Sequence, residues 1–401
     1  MKLHWQIFLA LVLGTITGVA FPGVNPYTSW IGELFMNALS MLIVPLVFFS
    51  IISGIIGIAG SGGGVTRLGA RIGGFYILTM MAAILTGLIL VNLIRPGSHI
   101  HVENAAIPAG IGQTSVKDIV VGFVPKNILE ALSSNQTIPV IVIAFLVGLN
   151  LHKISPEKKN LLTGFFQGGL ELILHITRAI IKCSPVGIFA IVVKQFASTP
   201  DYWGLLQTML LYMLTVLAGL VIHVFVWLHL MIRFYKVNPI KHFRNMSVPL
   251  LTAFSTASSG ATLPLTLHAV EHRDGVSSRI TNFTIPLGAT VNMDGTGLLE
   301  CVAVIFIAQA YGIELGIVQQ AVIVAVSLLC AIGSAGIPMA ALVMMALILT
   351  AVGLPLEGIG LVIGVDRILD MARTAVNVYG DTCVAVMVAK AEGETLSVDR
   401  K

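Results

Sequence analysis

Between residues 366 and 381 the chain reads Asp-Arg-Ile-Leu-Asp-Met-Ala-Arg-Thr-Ala-Val-Asn-Val-Tyr-Gly-Asp. In a helix, Asp366, Asp370, Arg373, Asn377 and Asp381 follow one another at steps of four, three, four and four, which keeps them along one stripe of an otherwise apolar segment. A charge at bilayer depth costs roughly 3 kcal/mol on insertion scales, so ionisable groups there usually face a cavity, pair, or bind something. The stripe therefore reads as a binding site.

A second group of polar residues, Asn292-Met-Asp-Gly-Thr296, interrupts the apolar run from 281 to 310. Asn, Asp and Gly weaken a helix interior by roughly 0.5 to 1 kcal/mol each relative to Ala. They also supply carbonyl oxygens and a carboxylate, the hard donors that alkali cations use. Glu300 follows one turn later. It suits a group that takes and releases a proton near neutral pH; the alternative is a structural acid bonded to a neighbouring helix.

The elements that must position these groups follow from composition. With 401 residues, 56% hydrophobic, 10% charged and a mean hydropathy of +0.94, the chain has too little polar surface for a soluble globule and reads as an all-α, polytopic membrane protein. Runs long enough to span, about 20 residues of helix, lie near 5–22, 33–58, 73–94, 136–152, 161–181, 204–231, 281–310 and 357–390. The net charge of +4 is accounted for by loops, and no nucleic acid partner is expected. Cys183, Cys301, Cys330 and Cys383 are scattered in apolar sequence and read as small core residues, not ligands or disulfides. His175, His223, His229 and His268 sit on separate segments without metal spacing. No catalytic motif stands out, so no enzyme and no cofactor is expected. The apolar start up to Phe21 resembles a secretory signal but lacks a small-x-small cleavage site.

Lysine and arginine collect in alternate loops: Lys2; Arg67 and Arg71; Lys153, Lys158 and Lys159; Arg233 to Arg244; Arg273 and Arg279; Arg400 and Lys401. The positive-inside rule places those loops and both termini in the cytoplasm. Eight spans satisfy this alternation. Two further apolar stretches then cannot be full crossings: Val248–Val270, expected to turn at Ser255 to Pro264, and Gln320–Leu349, expected to turn at Gly333 to Pro338. Both read as re-entrant hairpins, because non-helical backbone at membrane depth is tolerated only where protein or a watery cavity satisfies it. Paired interruptions of this kind point to a transporter site. Two kinked but complete spans remain the alternative.

Ser258-Ser259 with Thr262-Leu-Pro264, Asn292-Met-Asp-Gly-Thr296, and Asp366 through Asp381 together resemble the dicarboxylate/amino acid:cation symporter family, whose members include the excitatory amino acid transporters and an archaeal aspartate transporter. The resemblance implies an elevator-type fold of eight spans and two hairpins, assembled as a homotrimer in the plasma membrane. It implies scaffold segments at 1–65 and 101–200, and transport segments at 66–100 and 201–401, with hairpins at 245–270 and 316–352 and spans at 277–311 and 355–391. It also implies that Arg373 pairs with the side-chain carboxylate of an acidic amino acid and Asp370 with its ammonium. Asn377 with Ser258 and Ser259 would take the α-carboxylate, with Thr296, Thr374, Gly336 and Ile337 beside the bound molecule. Sodium would sit at Asp381 with Asn292 and Asn377, at Met293 near Ser334, and at Asp294 with Asn292 and Thr79. The second hairpin would be the extracellular gate, and Glu300 matches an acid associated with proton coupling.

The chain also departs from the family pattern. Where relatives carry an arginine before the first-hairpin serines or after the substrate aspartate, it has Ala257 and Met371. Met80 replaces a hydroxyl expected after Thr79, although Tyr76 is retained, which weakens the third sodium site. Met339 and Ala341 enlarge the second hairpin tip. Uptake of glutamate or aspartate coupled to sodium, protons or both is the leading expectation. Asp370 argues against a C4-dicarboxylate carrier and Arg373 against a neutral amino acid carrier. An ion channel is the rival of a different class, but paired Asp370 and Arg373 suit a zwitterion better than an ion file.

Overall fold

The computed structural model describes residues 3–59, 64–100, 121, 124–134, 137–198, 201–333 and 340–400. Those residues are almost entirely helical, with one isolated bridge between Val237 and Asp399. Among them, four helices are long and apolar enough to cross a membrane: Pro22–Ile56, Leu68–Ser98, Tyr202–Phe234 and Ser278–Ala310. Helices Pro156–Lys182 and Ser184–Ala197 meet at a bend of 56° and together pass the same test. The last helix, Ile359–Ala391, has 33 residues, at about 1.5 Å each enough to span, and carries the charged stripe.

In chain order α1 (Leu3–Ala20) packs on α7 (Ser184–Ala197), and α2 (Asn25–Ala59) on α7, on α5 (Thr137–Asn150) and on α6 (Pro156–Lys182). The helix α7 is absent from the spans read in the sequence, which end that region at residue 181. Cys183 caps α6 and Pro185 falls in the first turn of α7, so the chain turns sharply and resumes. A separate group forms around α14 (Asp294–Ala310) and α17 (Ile359–Ala391). Onto these pack α3 (Gly64–Ile94), α8 (Tyr202–Ile222) and the arms of both hairpins. Every residue from Asp294 to Ala308, and every residue from Val376 to Ala389, is buried. That explains how polar residues are tolerated there: protein, not hydrocarbon, surrounds them.

The first hairpin is α11 (Ser247–Thr256) and α12 (Ser259–His268), both packed on α17. Its turn is shorter than the expected 255–264. Ala257 takes a left-handed φ of 50°, and Ser258 caps α12 by accepting from the Ala261 N–H at 3.2 Å, a cap worth about 1 kcal/mol. Pro264 lies inside α12, not in the break. The second hairpin comprises α15 (Ile317–Gly333) and α16 (Ala340–Val352). Its tip, with Ser334, Gly336, Ile337 and Met339, lies outside the described residues, whereas Ala341 is buried.

The foot of the first hairpin is clasped from two sides. His242 Nδ1 stands 2.6 Å from Asp274 Oδ2, Asn245 donates to Asp274 Oδ1 at 2.7 Å, and His242 Nε2 lies 3.1 Å from Thr382 Oγ1 on α17. Beyond Ala391 the chain folds back as a strap. Glu394 accepts from the Ser277 N–H at 3.0 Å, Ser397 N–H donates to Asp274 O at 2.9 Å, and Asn238 N–H donates to Val398 O at 2.8 Å. Leu396 and Val398 of the strap are themselves buried, and Arg71 pairs with Glu392.

Candidate functional site

The helix break between α13 (Ser278–Val291) and α14 is two residues long, Asn292 and Met293, narrower than the five-residue interruption read in the sequence. It lies against the middle of α17, whose stripe faces inward: Asp366, Asp370, Arg373, Asn377 and Asp381 are each at most 4% exposed. The spacing that put them on one face is what brings them to the break.

Asn377 joins the two elements. Its Oδ1 accepts from the Gly295 N–H at 2.7 Å, near the N-terminus of α14, and its Nδ2 lies 3.1 Å from Thr296 Oγ1 and 3.2 Å from Met293 Sδ. Arg373 Nη1 donates to the same Thr296 oxygen at 3.3 Å. Arg373 also holds Asp370 Oδ1 through Nη2 at 2.6 Å and Nε at 3.1 Å. Thr374, one residue on, is buried with its hydroxyl bonded to Asp370 O at 2.7 Å. This half of the site offers a guanidinium, a carboxylate, a hydroxyl and an amide within one buried cluster.

The other half is rich in oxygen. Asn292 Nδ2 donates to Asp381 Oδ1 at 3.0 Å, and Asn292 Oδ1 accepts from Thr79 Oγ1 at 3.2 Å. Asp294 lies beside it and bonds His223 Nε2 at 3.1 Å through Oδ2. Two glycines let carboxylates approach this closely. A Cβ on Gly380 would stand 2.4 Å from Asp294 Oδ2, and one on Gly288 2.4 Å from Asp381 Oδ1. The Tyr76 hydroxyl, 2.6 Å from Thr284 O, borders the same cluster, and Met80 is fully buried in place of a hydroxyl. Carboxylates and amide oxygens at this density are the donor set of a hard cation.

Glu300 is completely buried on α14, and neither carboxyl oxygen has a hydrogen-bond partner among the described residues. The alternative of a structural acid bonded to the next helix finds no support there. The bonds of Ser258 are local to its turn, with Ser259 buried beside it, while both hairpin arms pack on the stripe-bearing helix. Ser334, Gly336 and Ile337 fall outside the described residues.

Two contacts at the site were not anticipated from the sequence. Arg367 Nη1 contacts Asp370 Oδ2 at 3.1 Å, an i,i+3 pair that helix spacing could have revealed. His223 meets Asp294 across 71 positions, in a π-helical stretch His223–Leu228, and no local signal announces that pairing.

The chain is similar to known proteins along nearly its whole length. The model of the sodium:dicarboxylate symporter family matches residues 3–391. The chain is 34% identical to the proton/sodium-glutamate symport protein of Geobacillus stearothermophilus, over 98% of this chain and 95% of that protein. It is 32% identical to excitatory amino acid transporter 3 of Mus musculus, over 98% and 87%. It is 30% identical to the proton/glutamate-aspartate symporter of Escherichia coli K12, over 98% and 93%.

Proposed function

Because the chain belongs to the sodium:dicarboxylate symporter family, we propose that it is a multi-pass membrane symporter that takes up acidic amino acids, glutamate or aspartate, together with sodium, protons or both. One observation carries the substrate class: the buried Asp370–Arg373 pair, at 2.6 Å, set beside Thr296 and Asn377. An ammonium needs an anion and a second carboxylate needs a cation, and the cluster supplies one of each. The relatives named for proton/sodium-glutamate and proton/glutamate-aspartate symport support the same substrate and coupling.

In this reading Arg373 turns its fork from Asp370 to the substrate's side-chain carboxylate, a bidentate pairing suited to a planar guanidinium. Asp370 then takes the ammonium. Asn377 takes the α-carboxylate with Ser258 and Ser259, while Thr296, Thr374, Gly336 and Ile337 complete the enclosure. Sodium is held by Asp381, Asn292 and Asn377, by Met293 with Ser334, and by Asp294, Asn292 and Thr79. Glu300 carries the coupled proton. The reading extends to eight spans with two re-entrant hairpins, a plasma-membrane homotrimer with cytoplasmic termini, and an elevator motion. In that motion residues 66–100 and 201–401 slide against the scaffold formed by 1–65 and 101–200.

Calorimetry on the purified protein tests the substrate assignment. Glutamate or aspartate is expected to bind, and Arg373→Ala is expected to abolish binding of both. Unchanged affinity in that variant removes the assignment. Uptake into vesicles under imposed sodium or pH gradients identifies the driving ion.

A further inference from the structure

Arg367 is the cation of the stripe region for which the transport reading has no task. Its Nη1 lies 3.1 Å from Asp370 Oδ2, while Arg373 occupies Oδ1. Both oxygens of Asp370 are therefore engaged by guanidinium groups before any substrate arrives. The two arginines differ in their surroundings. The Arg373 side chain is 4% exposed and also tied to Thr296, whereas that of Arg367 is 21% exposed. With Gly364 and Ile368, Arg367 lines a groove of about 400 Å³ facing Ile7 and Leu11 of α1. Arg367 borders that groove, whereas Arg373 is enclosed and can turn only within the cluster.

The charges sharpen the point. Asp366, Arg367, Asp370 and Arg373 sum to zero. With Arg373 turned to the substrate's carboxylate yet still within the cluster, an arriving ammonium would be a third cation near Asp370. A carboxylate has lone-pair sites for it, but three like charges around one anion repel strongly away from bulk water. The cation with room to move is the one that yields.

We propose that Arg367 determines specificity by standing in for the substrate's ammonium: it holds Asp370 Oδ2 in the empty site, an amino acid displaces it, and a dicarboxylate lacking the amino group leaves it in place. The inference rests on the acidic amino acid reading of the same site. Two consequences separate. The charge of Arg367 attracts carboxylates whether or not an amino group accompanies them, whereas its hold on Asp370 opposes only the ammonium. The ratio of aspartate affinity to succinate affinity isolates the second effect, since the two ligands share carbon length and both carboxylates.

The test is competition by L-aspartate and by succinate against radiolabelled aspartate on the purified full-length protein at fixed sodium. Arg367→Gln is expected to raise the aspartate-to-succinate ratio about tenfold, the effect of one charge-assisted hydrogen bond. Arg367→Lys keeps a cation in place and is expected to stay near the ratio of the unchanged protein, which a loss of packing alone would not produce. Should Arg367→Gln fail to fold, Arg367→Met removes the same charge and carries the same expectation. A ratio that stays put or falls in the neutral variants overturns the inference and leaves the substrate assignment standing. An unchanged protein that binds neither aspartate nor glutamate overturns both.

Discussion

Gly380 offers the most direct test of how tightly the oxygen-rich half of the site is built. It lies in the interior of α17, where alanine would ordinarily add about 0.5 to 1 kcal/mol of helix stability. Here an added Cβ would stand 2.4 Å from Asp294 Oδ2 and 3.2 Å from Asn292 Nδ2. Non-bonded atoms prefer about 3.5 Å or more, so the carboxylate must retreat by roughly 1 Å. That retreat breaks the 3.1 Å bond to His223 or drives the imidazole with it. Crowding of this kind costs about 1 to 3 kcal/mol, and a lost hydrogen bond to a charged group about 1.5 to 3 kcal/mol. The gain in helix propensity does not offset either. If about 2 kcal/mol of the penalty falls on cation binding, sodium affinity drops about thirtyfold. The assay is the sodium concentration that half-saturates aspartate binding in Gly380→Ala. The control is Gly168→Ala, where an added Cβ meets nothing within 4 Å. A folded Gly380→Ala protein whose sodium dependence stays within about twofold of the control would refute the argument that close approach of Asp294 shapes a cation site.

Glu300→Gln keeps the side chain's size in a pocket where neither oxygen is bonded among the described residues. It is expected to keep substrate binding within about threefold, a change under 1 kcal/mol, and to lose the response of vesicle uptake to an imposed pH gradient; a retained response refutes the role. Removing residues 394–401 takes away the buried Leu396 and Val398, each worth about 1.5 to 3 kcal/mol of apolar burial. Hydrogen exchange is expected to accelerate around 236–245 and 271–278, and unaltered exchange there would show that the strap holds nothing.

The stripe could be read from sequence because helical spacing is a local property, and five polar residues in apolar surroundings have few ways to be accommodated. The break at Asn292 and Met293 was legible for the same reason, although its length was not. Apart from the Arg367–Asp370 contact, what escaped depends on partners distant along the chain. His223 opposite Asp294, and His242 opposite Asp274, are histidines on apolar or basic segments until folding supplies the acid. The helix Ser184–Ala197 was hidden because a proline beside a polar dipeptide looks like the end of a span, and only packing against α1 and α2 reveals a continuation. Pro264 misled in the opposite direction. A proline suggests a break, but the break was placed by Ala257 and the cap at Ser258.

The strap gives synthesis an order. Ser277 leaves the ribosome 117 positions before Glu394, its hydrogen-bond partner, an interval on the order of ten seconds at ordinary elongation rates. Throughout that interval the first hairpin lacks the strap, and Leu396 and Val398 have yet to be made. A polypeptide stalled late in translation would hold a nearly complete polar cluster beside an unfastened first hairpin.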